Sequence, residues 1–223
     1  MLALLTVLGN DVEPEKLRAK AAISLGPVLE LADTDGFEDP DDVPITEPTF
    51  HASQQTLHKL YLNAGVPKEV RRRILEVVVR APQDWHAGAV RAAFDSGDEE
   101  WKLTAVFCMQ FVRGFDGQIL AALNSKNEDV RYEAVCAAGA WGVDASWPHV
   151  SALVRSKTTD KQLLLAAIEA VAYIRPQEAA DLLVDLTDSA DEDIVEAAYE
   201  ALTMAEASLG YEGDEDDEDE LLR

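Results

Sequence analysis

Cysteine is scarce in this sequence, with only two in 223 residues. Two cysteines cannot build the disulfide framework that holds small secreted domains together, so we predict a protein of a reducing compartment, the cytoplasm. Long apolar runs are also missing, and no stretch reaches the roughly 18 uninterrupted apolar residues of a membrane span. The segment Met1 to Leu8 has a short apolar run and no basic residue, which does not fit a secretory signal. We therefore predict no membrane association.

Basic residues are few. The chain has 19 lysines and arginines against 43 aspartates and glutamates, a formal net charge of −24. Binding to nucleic acid or to anionic lipid depends on cationic side chains that displace condensed counterions. This charge balance opposes both, so we predict that the partner is not a nucleic acid.

Enzyme motifs are lacking as well. The sequence contains no G-x-S-x-G elbow, no G-x-G-x-x-G loop, no phosphate-binding loop of the Walker type and no H-E-x-x-H helix. Its four histidines stand too far apart for an i, i+4 metal pair, and zinc needs three or four converging ligands. We predict no catalytic residue, no metal and no cofactor.

An internal repeat is present instead. A small or branched residue with a similar sequence context recurs at six positions, separated by 53, 31, 29, 32 and 32 residues: Ala21, Ile74, Ala105, Ala134, Ala166 and Ala198. The first step exceeds a 32-residue repeat by 21 residues. The excess falls at residues 33–52, which contain seven acidic residues, three prolines and no lysine or arginine. We predict an acidic insertion loop there.

Each repeat has the pattern of a helix pair. Apolar residues three and four apart mark a first helix, and a polar turn leads into a second helix with recognisable start residues, such as Asp98, Asn127 and Asp191. Thr159 and Gln162 have the spacing of a capping box. The predicted fold is an all-α, right-handed α-solenoid of about six helix pairs over residues 1–207, followed by an acidic disordered tail over 208–223. The predicted second helices are 15–29, 67–80, 98–113, 128–142, 160–174 and 191–207.

Residues 17–26 (LRAKAAISLG) and 130–139 (VRYEAVCAAG) closely resemble the second helix of HEAT repeats, in particular the short bacterial type also seen in phycobilisome lyases. The resemblance covers nearly the whole chain except the insertion and the tail. Proteins of this type include scaffolds, transport receptors, bilin lyases, a DNA glycosylase and deoxyhypusine hydroxylase. The glycosylase type needs a basic groove and the hydroxylase type carries His-Glu dipeptides, and this chain has neither.

A basic residue recurs early in four of the second helices: Arg18, Arg71, Lys102 and Arg131. The resemblance implies that such an arginine bonds an acid or amide of the preceding turn, where Asp95, Asn124 and Asp188 stand. A row of ligand-contacting arginines is the alternative.

Helix geometry indicates an apolar stripe. At about 100° per residue, the side of helix 128–142 opposite its core carries Tyr132 and Cys136. Equivalent positions are apolar in the neighbouring repeats and charged in the outer ones, which hold Arg72 and Glu76 or Glu196 and Glu200 and are expected to be exposed. The predicted partner-binding residues are Leu103, Phe107, Tyr132, Cys136, Leu164 and Ile168, rimmed by Glu76, Glu196 and Glu200. In HEAT solenoids these helices line the concave surface. The stripe is either core between repeats or a groove, with Tyr132 and Phe107 as anchors.

We predict a non-catalytic scaffold or adaptor whose partner is a protein or peptide with a basic amphipathic segment. One alternative is a bilin-lyase-like enzyme or chaperone with a pocket around Tyr132 and Cys136. A weaker alternative is a polyanion mimic acting through the acidic tail. Both acidic segments, each with a net charge of −7, could instead serve solubility alone.

Overall fold

The computed structural model describes residues 1–37 and 45–212, with side chains up to residue 208. Every regular element within these residues is a helix. The chain divides into two compact units, an N-terminal unit (Met1–Val112) and a C-terminal unit (Arg113–Arg223). No helix among the described residues is long and apolar enough to cross a bilayer.

The N-terminal unit contains three helix pairs and one additional helix. Its elements are α1 (Leu2–Gly9) and α2 (Glu15–Ile23), the additional α3 (Gly26–Asp35), α4 (Glu47–Leu62) and α5 (Lys68–Val78), and α6 (Asp84–Phe94) and α7 (Glu99–Cys108).

The C-terminal unit contains three further pairs. They are α8 (Asp116–Ala122) and α9 (Glu128–Ala140), α10 (Trp147–Arg155) and α11 (Lys161–Ile174), and α12 (Pro176–Leu183) and α13 (Glu192–Glu212). Short 3₁₀ segments precede α10 and follow α12. The six predicted pairs are confirmed, and the repeated small or branched residue is the sixth or seventh residue of each second helix and is buried in all six.

Two predicted boundaries near the insertion are wrong. The helix predicted over 15–29 ends at Ile23, and α3 begins at Gly26 with Pro27 in its first turn, a place where proline's missing N–H is tolerated. The predicted loop over 33–52 is shorter, because residues 33–35 belong to α3 and 47–52 belong to α4. Residues 38–44 of that loop and 213–223 of the predicted tail lie outside the described residues.

Side-chain caps begin several second helices. The Asp98 carboxylate accepts hydrogen bonds from the backbone N–H groups of Glu100 and Trp101 at 3.0 and 3.1 Å. Asn127 caps α9 in the same way. In α11 the cap is Asp160, which accepts from the Gln162 N–H at 2.9 Å. The predicted Thr159 cap is wrong, because its hydroxyl donates to the backbone carbonyl of Leu153 instead.

Lysine clips join successive second helices inside each unit. Lys68, the first residue of α5, bonds Asp98 at 2.9 Å and also contacts Glu100 at the start of α7. In the C-terminal unit Lys161, the first residue of α11, bonds Asp191 at 2.7 Å and Asp193 at 2.6 Å at the start of α13. These hydrogen bonds lower the pKa of the Asp98 and Asp191 carboxyls and raise that of both lysines.

The arginine series is structural, but its acceptors differ from the prediction. Arg18 and Arg71 donate to the backbone carbonyls of Leu8 and Tyr61, at 2.9 and 2.7 Å, near the C-terminal ends of the preceding first helices. Arg131 donates to the carbonyl of Ser125 at 2.9 Å. A cation at this end of a helix satisfies carbonyls that have no partner within the helix. Lys102 differs from the arginines, because its ammonium group lies over the ring of Phe94, 5.6 Å from the ring centroid.

His86 completes the start of α6. Its Nδ1 accepts a hydrogen bond from the Gln83 backbone N–H at 3.0 Å, while the buried Nε2 has no hydrogen-bond partner among the described residues. The ring packs edge-on against Trp85. Burial, with a smaller contribution from the nearby His58, lowers the pKa of His86 to about 4.

Candidate protein-binding surface

In the N-terminal unit, the predicted stripe is represented by Leu103 and Phe107 on α7, both half-buried. The Phe107 ring packs against Phe111 with centroids 5.5 Å apart. The guanidinium of Arg80 lies over both rings, 5.9 Å from the Phe107 centroid and 4.9 Å from the Phe111 centroid, and bonds Glu30 at 2.6 Å. Arg80 therefore shields Phe107 from an approaching partner.

Glu76 does not form an acidic rim. Its side chain is only 13% exposed, and its two carboxylate oxygens accept hydrogen bonds from Arg73 and from the Thr104 hydroxyl, each at 2.7 Å. The carboxylate of Glu76 is therefore paired inside the unit and is not available to a partner. The prediction of Glu76 as a partner-binding residue is wrong.

Arg72 was expected at an exposed, charged position and is instead 5% exposed. Its Nε donates to the Thr104 hydroxyl at 3.0 Å, and one terminal nitrogen lies 3.0 Å from Glu69 and 3.6 Å from Glu100. This network connects α5 to α7. In the N-terminal unit the stripe positions of α5 thus hold neighbouring repeats together.

In the C-terminal unit Tyr132, on α9, is 38% exposed, while Cys136 one turn later is half-buried. The phenol and thiol share a hydrogen bond, and the pKa of Tyr132 is raised chiefly by Cys136. Burial first, and then Glu133, raises the pKa of Cys136 to about 12. The thiol stays protonated at neutral pH, which does not suit a nucleophile.

Leu164 and Ile168, both on α11, differ in their exposure to solvent. Leu164 is half-buried, but Ile168 is fully buried, so its prediction as a partner-binding residue is wrong. The reason is the position of α11, which packs against both α9 and α13 and keeps only a narrow exposed arc.

Glu196 and Glu200 are both exposed on α13, one turn apart. Neither forms an ion pair with any residue from 1–37 or 45–212. These two predicted residues therefore present uncompensated charge to the solvent.

Sequence reasoning missed four exposed side chains on the same helices: Glu169 and Tyr173 on α11, and Tyr199 and Met204 on α13. The Tyr173 hydroxyl lies 3.1 Å from the Met204 sulfur, which connects α11 to α13. Glu169 raises the pKa of Cys136, which places it close to α9. Plotting α13 as a helical wheel would have placed Tyr199 beside Glu196, because three residues span about 300°.

We call this set the acidic tyrosine surface. It belongs to the C-terminal unit alone and consists of Tyr132, Cys136, Leu164, Glu169, Tyr173, Glu196, Tyr199, Glu200 and Met204. It combines aromatic rings with carboxylates on three neighbouring second helices.

Comparison with known proteins identifies these helix pairs. The sequence profile described as HEAT repeats matches residues 117–203. Residues 117–203, which span the three helix pairs of the C-terminal unit, therefore carry HEAT repeats. No curated protein matches the sequence.

Several solved structures similar to this chain are designed or engineered proteins. An engineered protein has 18% identity, covers 92% of this chain and 96% of its own, and has a TM-score of 0.51. A designed armadillo repeat protein has 16% identity, coverage of 91% and 98%, and a TM-score of 0.54. Another, solved in complex with the peptide (KR)4, has 14% identity, the same coverages of 91% and 98%, and a TM-score of 0.54. These likenesses show the fold, an all-α solenoid.

The HEAT repeats offer no cluster for a metal within the described residues, because no three histidine, cysteine, aspartate or glutamate side chains converge there. The acidic tyrosine surface is thus suited to contacts with cationic and apolar groups, through carboxylates, rings and a thioether.

Proposed function

We propose that this chain is a non-catalytic adaptor that binds a basic segment of a partner protein on the acidic tyrosine surface. The observation that carries the proposal is the exposure of tyrosines on three neighbouring second helices, beside exposed carboxylates on α11 and α13 that form no ion pair within the described residues. An exposed apolar patch with a charged rim is typical of an interaction site.

Charge supports a cationic partner. The C-terminal unit contains 25 acidic and eight basic residues. A field of one sign accelerates association with an oppositely charged segment and is screened by salt. We therefore expect rapid binding that weakens as ionic strength rises.

The rings supply the second part of recognition. Lysine and arginine favour positions over tyrosine faces, and their apolar stems pack against exposed aromatic and thioether groups. Each surface ion pair contributes only about 0.2–1 kcal/mol, so several repeats must act together. Binding of (KR)4 by a designed armadillo repeat protein of similar fold supports this mode.

Fluorescence anisotropy with a labelled (Lys-Arg)4 peptide tests the proposal. Replacing three carboxylates of the surface, Glu169→Gln, Glu196→Gln and Glu200→Gln, should weaken binding about tenfold, because three pairs are lost. The matched control removes three exposed acids after α11: Asp181→Asn, Asp185→Asn and Asp188→Asn. Equal weakening by both triple variants would reduce the interaction to non-specific charge attraction.

Tyrosine substitutions separate packing from charge. Tyr132→Ala should weaken peptide binding at least fivefold, about 1 kcal/mol, whereas Tyr132→Phe keeps the ring and should bind nearly as well as the wild type. Phe107→Ala should change the affinity little, because Arg80 already lies over that ring. Removing residues 213–223 should leave the peptide affinity unchanged if the peptide binds the acidic tyrosine surface. If the chain instead acts as a polyanion mimic through its tail, the same deletion should abolish binding.

A further inference from the structure

The first repeat exposes a face with the opposite charge. Five side chains of α2 are exposed: Glu15, at the first position of the helix, and Lys16, Leu17, Lys20 and Ile23. The last four share one side of the helix. At about 100° per residue they fall within an arc of about 120°. Arg18, Ala19, Ala21 and Ala22 on the other side are buried. The face is therefore one stripe and not a scatter of exposed residues.

The apolar members of this stripe are unusually exposed for their repeat positions. Leu17 is 44% exposed, whereas its equivalents Val70 and Val130 are fully buried. Ile23 is 50% exposed, whereas at the equivalent position Ile168 is fully buried and Phe107 and Cys136 are half-buried. Exposed apolar side chains beside charged ones are typical of an interaction site.

The lysines of the stripe are available. Within the parts of the chain that the structure describes, neither Lys16 nor Lys20 forms an ion pair. By contrast, Lys68 and Lys161 each contact two carboxylates. Helix α2 therefore has the composition proposed for a partner of the acidic tyrosine surface, a basic amphipathic helix.

We infer that α2 of one copy docks on α13 of a second copy, at the acidic tyrosine surface. This inference rests on the proposed function, because it names an occupant for the same surface. Lys16 and Lys20 are four residues apart, as are Glu196 and Glu200, and four helical residues rise about 6 Å. The two ion pairs can therefore form together on parallel or antiparallel helices.

The apolar groups of the two faces also match. Leu17 and Ile23 flank the lysines on α2, and Tyr199 and Met204 flank the glutamates on α13. Their contact would remove four exposed apolar side chains from water, while two lysines neutralise two carboxylates that have no partner among residues 1–37 and 45–212. The contact joins two different patches, so it is heterologous. In a pair of copies, one α2 face and one acidic tyrosine surface stay free for further copies.

Sedimentation equilibrium of the full chain tests the docking. We expect concentration-dependent association at an ionic strength of about 0.05 M and a loss of it at about 0.5 M, where charges beyond a few ångströms are screened. Two charge-reversed variants, K16E with K20E and E196K with E200K, should each be monomeric because their docking faces carry like charges.

Mixing the two variants is the decisive measurement. In an equimolar mixture, basic α2 meets acidic α13 and acidic α2 meets basic α13, so association should return. The matched control, K59E with K157E, changes two exposed lysines elsewhere and should associate like the wild type. A monomeric wild type at low salt, or a mixture that stays monomeric, would overturn the inference.

Two further readouts keep the outcomes distinct. Ile23→Ser leaves the charge unchanged and should reduce association, while association equal to that of the wild type would contradict an apolar contact. The (Lys-Arg)4 titration reports on the surface independently of α2. Peptide binding by a chain that does not self-associate would defeat this inference and leave the proposed function standing, whereas loss of both would defeat both.

Discussion

Helices α5 and α13 occupy equivalent places in their repeats and use them in opposite ways. On α5 the stripe carries Arg72, Arg73 and Glu76, whose charges pair with one another and with Glu69 and Glu100. On α13 the positions of Arg72 and Glu76 are held by Glu196 and Glu200, which have no ion-pair partner among the described residues. At equivalent repeat positions, the charged side chains of α5 therefore pair with one another inside the N-terminal unit, whereas those of α13 are exposed to solvent.

This difference explains why a repeat position alone does not define a binding site. A mixture of signs at turn-spaced positions allows each guanidinium to reach a carboxylate three or four residues away. Carboxylates alone at the same spacing repel one another and must find a cation elsewhere. The charge pattern within one helix therefore indicates whether its stripe is structural or available to a partner.

The strongest contrast compares Arg72→Ala with Glu196→Ala. Removing Arg72 takes away a buried guanidinium that bonds Glu69 and Thr104, and it should lower the free energy of unfolding by about 2–3 kcal/mol. Glu196→Ala removes an exposed side chain and should change stability by less than about 0.5 kcal/mol. Chemical denaturation measures both, and equal effects would abolish the distinction between the two helices.

Acid should weaken the N-terminal unit through His86. Its folded pKa of about 4 lies below the ordinary value of 6.5, so the unfolded chain binds the proton more tightly. Stability is therefore complete above about pH 6.5 and falls as the pH drops, by about 3 kcal/mol at pH 4. Hydrogen exchange around α6 should accelerate over this range. His86→Gln is the control, and it should remove this part of the acid dependence.

Close packing of α9 on α11 gives the C-terminal unit its own weak point. A Cβ added to Gly139 would lie 2.8 Å from the Cα of Ala170, so Gly139→Ala should force the helices apart and cost about 2 kcal/mol. Gly88 in α6 meets nothing within 4 Å, and Gly88→Ala should stabilise by about 0.5–1 kcal/mol. Thermal melts compare the pair, and a tolerated Gly139→Ala would show that the backbone can yield there.

The lysine clips should behave alike in the two units. Lys68→Met and Lys161→Met each remove two exposed carboxylate contacts, so their effects on stability should be small and should disappear at high salt. Melting temperatures at two ionic strengths measure this. A large loss at either lysine that persists in salt would indicate a role beyond surface electrostatics.

The periodicity of small or branched residues was sufficient to locate the second helices, because a residue buried at a helix–helix contact is restricted in size and polarity in every repeat. The break after Ile23 had a signal in Gly26 and Pro27, which the repeat pattern overrode. The arginine acceptors could not be predicted, since backbone carbonyls look alike in any sequence.

The binding surface was predicted only in part for a related reason. Tyr132, Glu196 and Glu200 are exposed as a helical wheel places them. Burial of Ile168 depends on how closely two neighbouring helices approach, and burial of Arg72 depends on a hydroxyl 32 residues away. Such facts depend on three-dimensional neighbours, which one-dimensional spacing does not record.

The lysine clips link the beginning of one second helix to the beginning of the next. Asp98 and Asp191 each hold both the backbone at the start of their own helix and a lysine from the preceding repeat. Unravelling the first turn of α7 or α13 would therefore release the lysine, and a pull on α5 or α11 would strain the following first turn. Within each unit, one lysine thus couples the fraying of two successive second helices at their first turns.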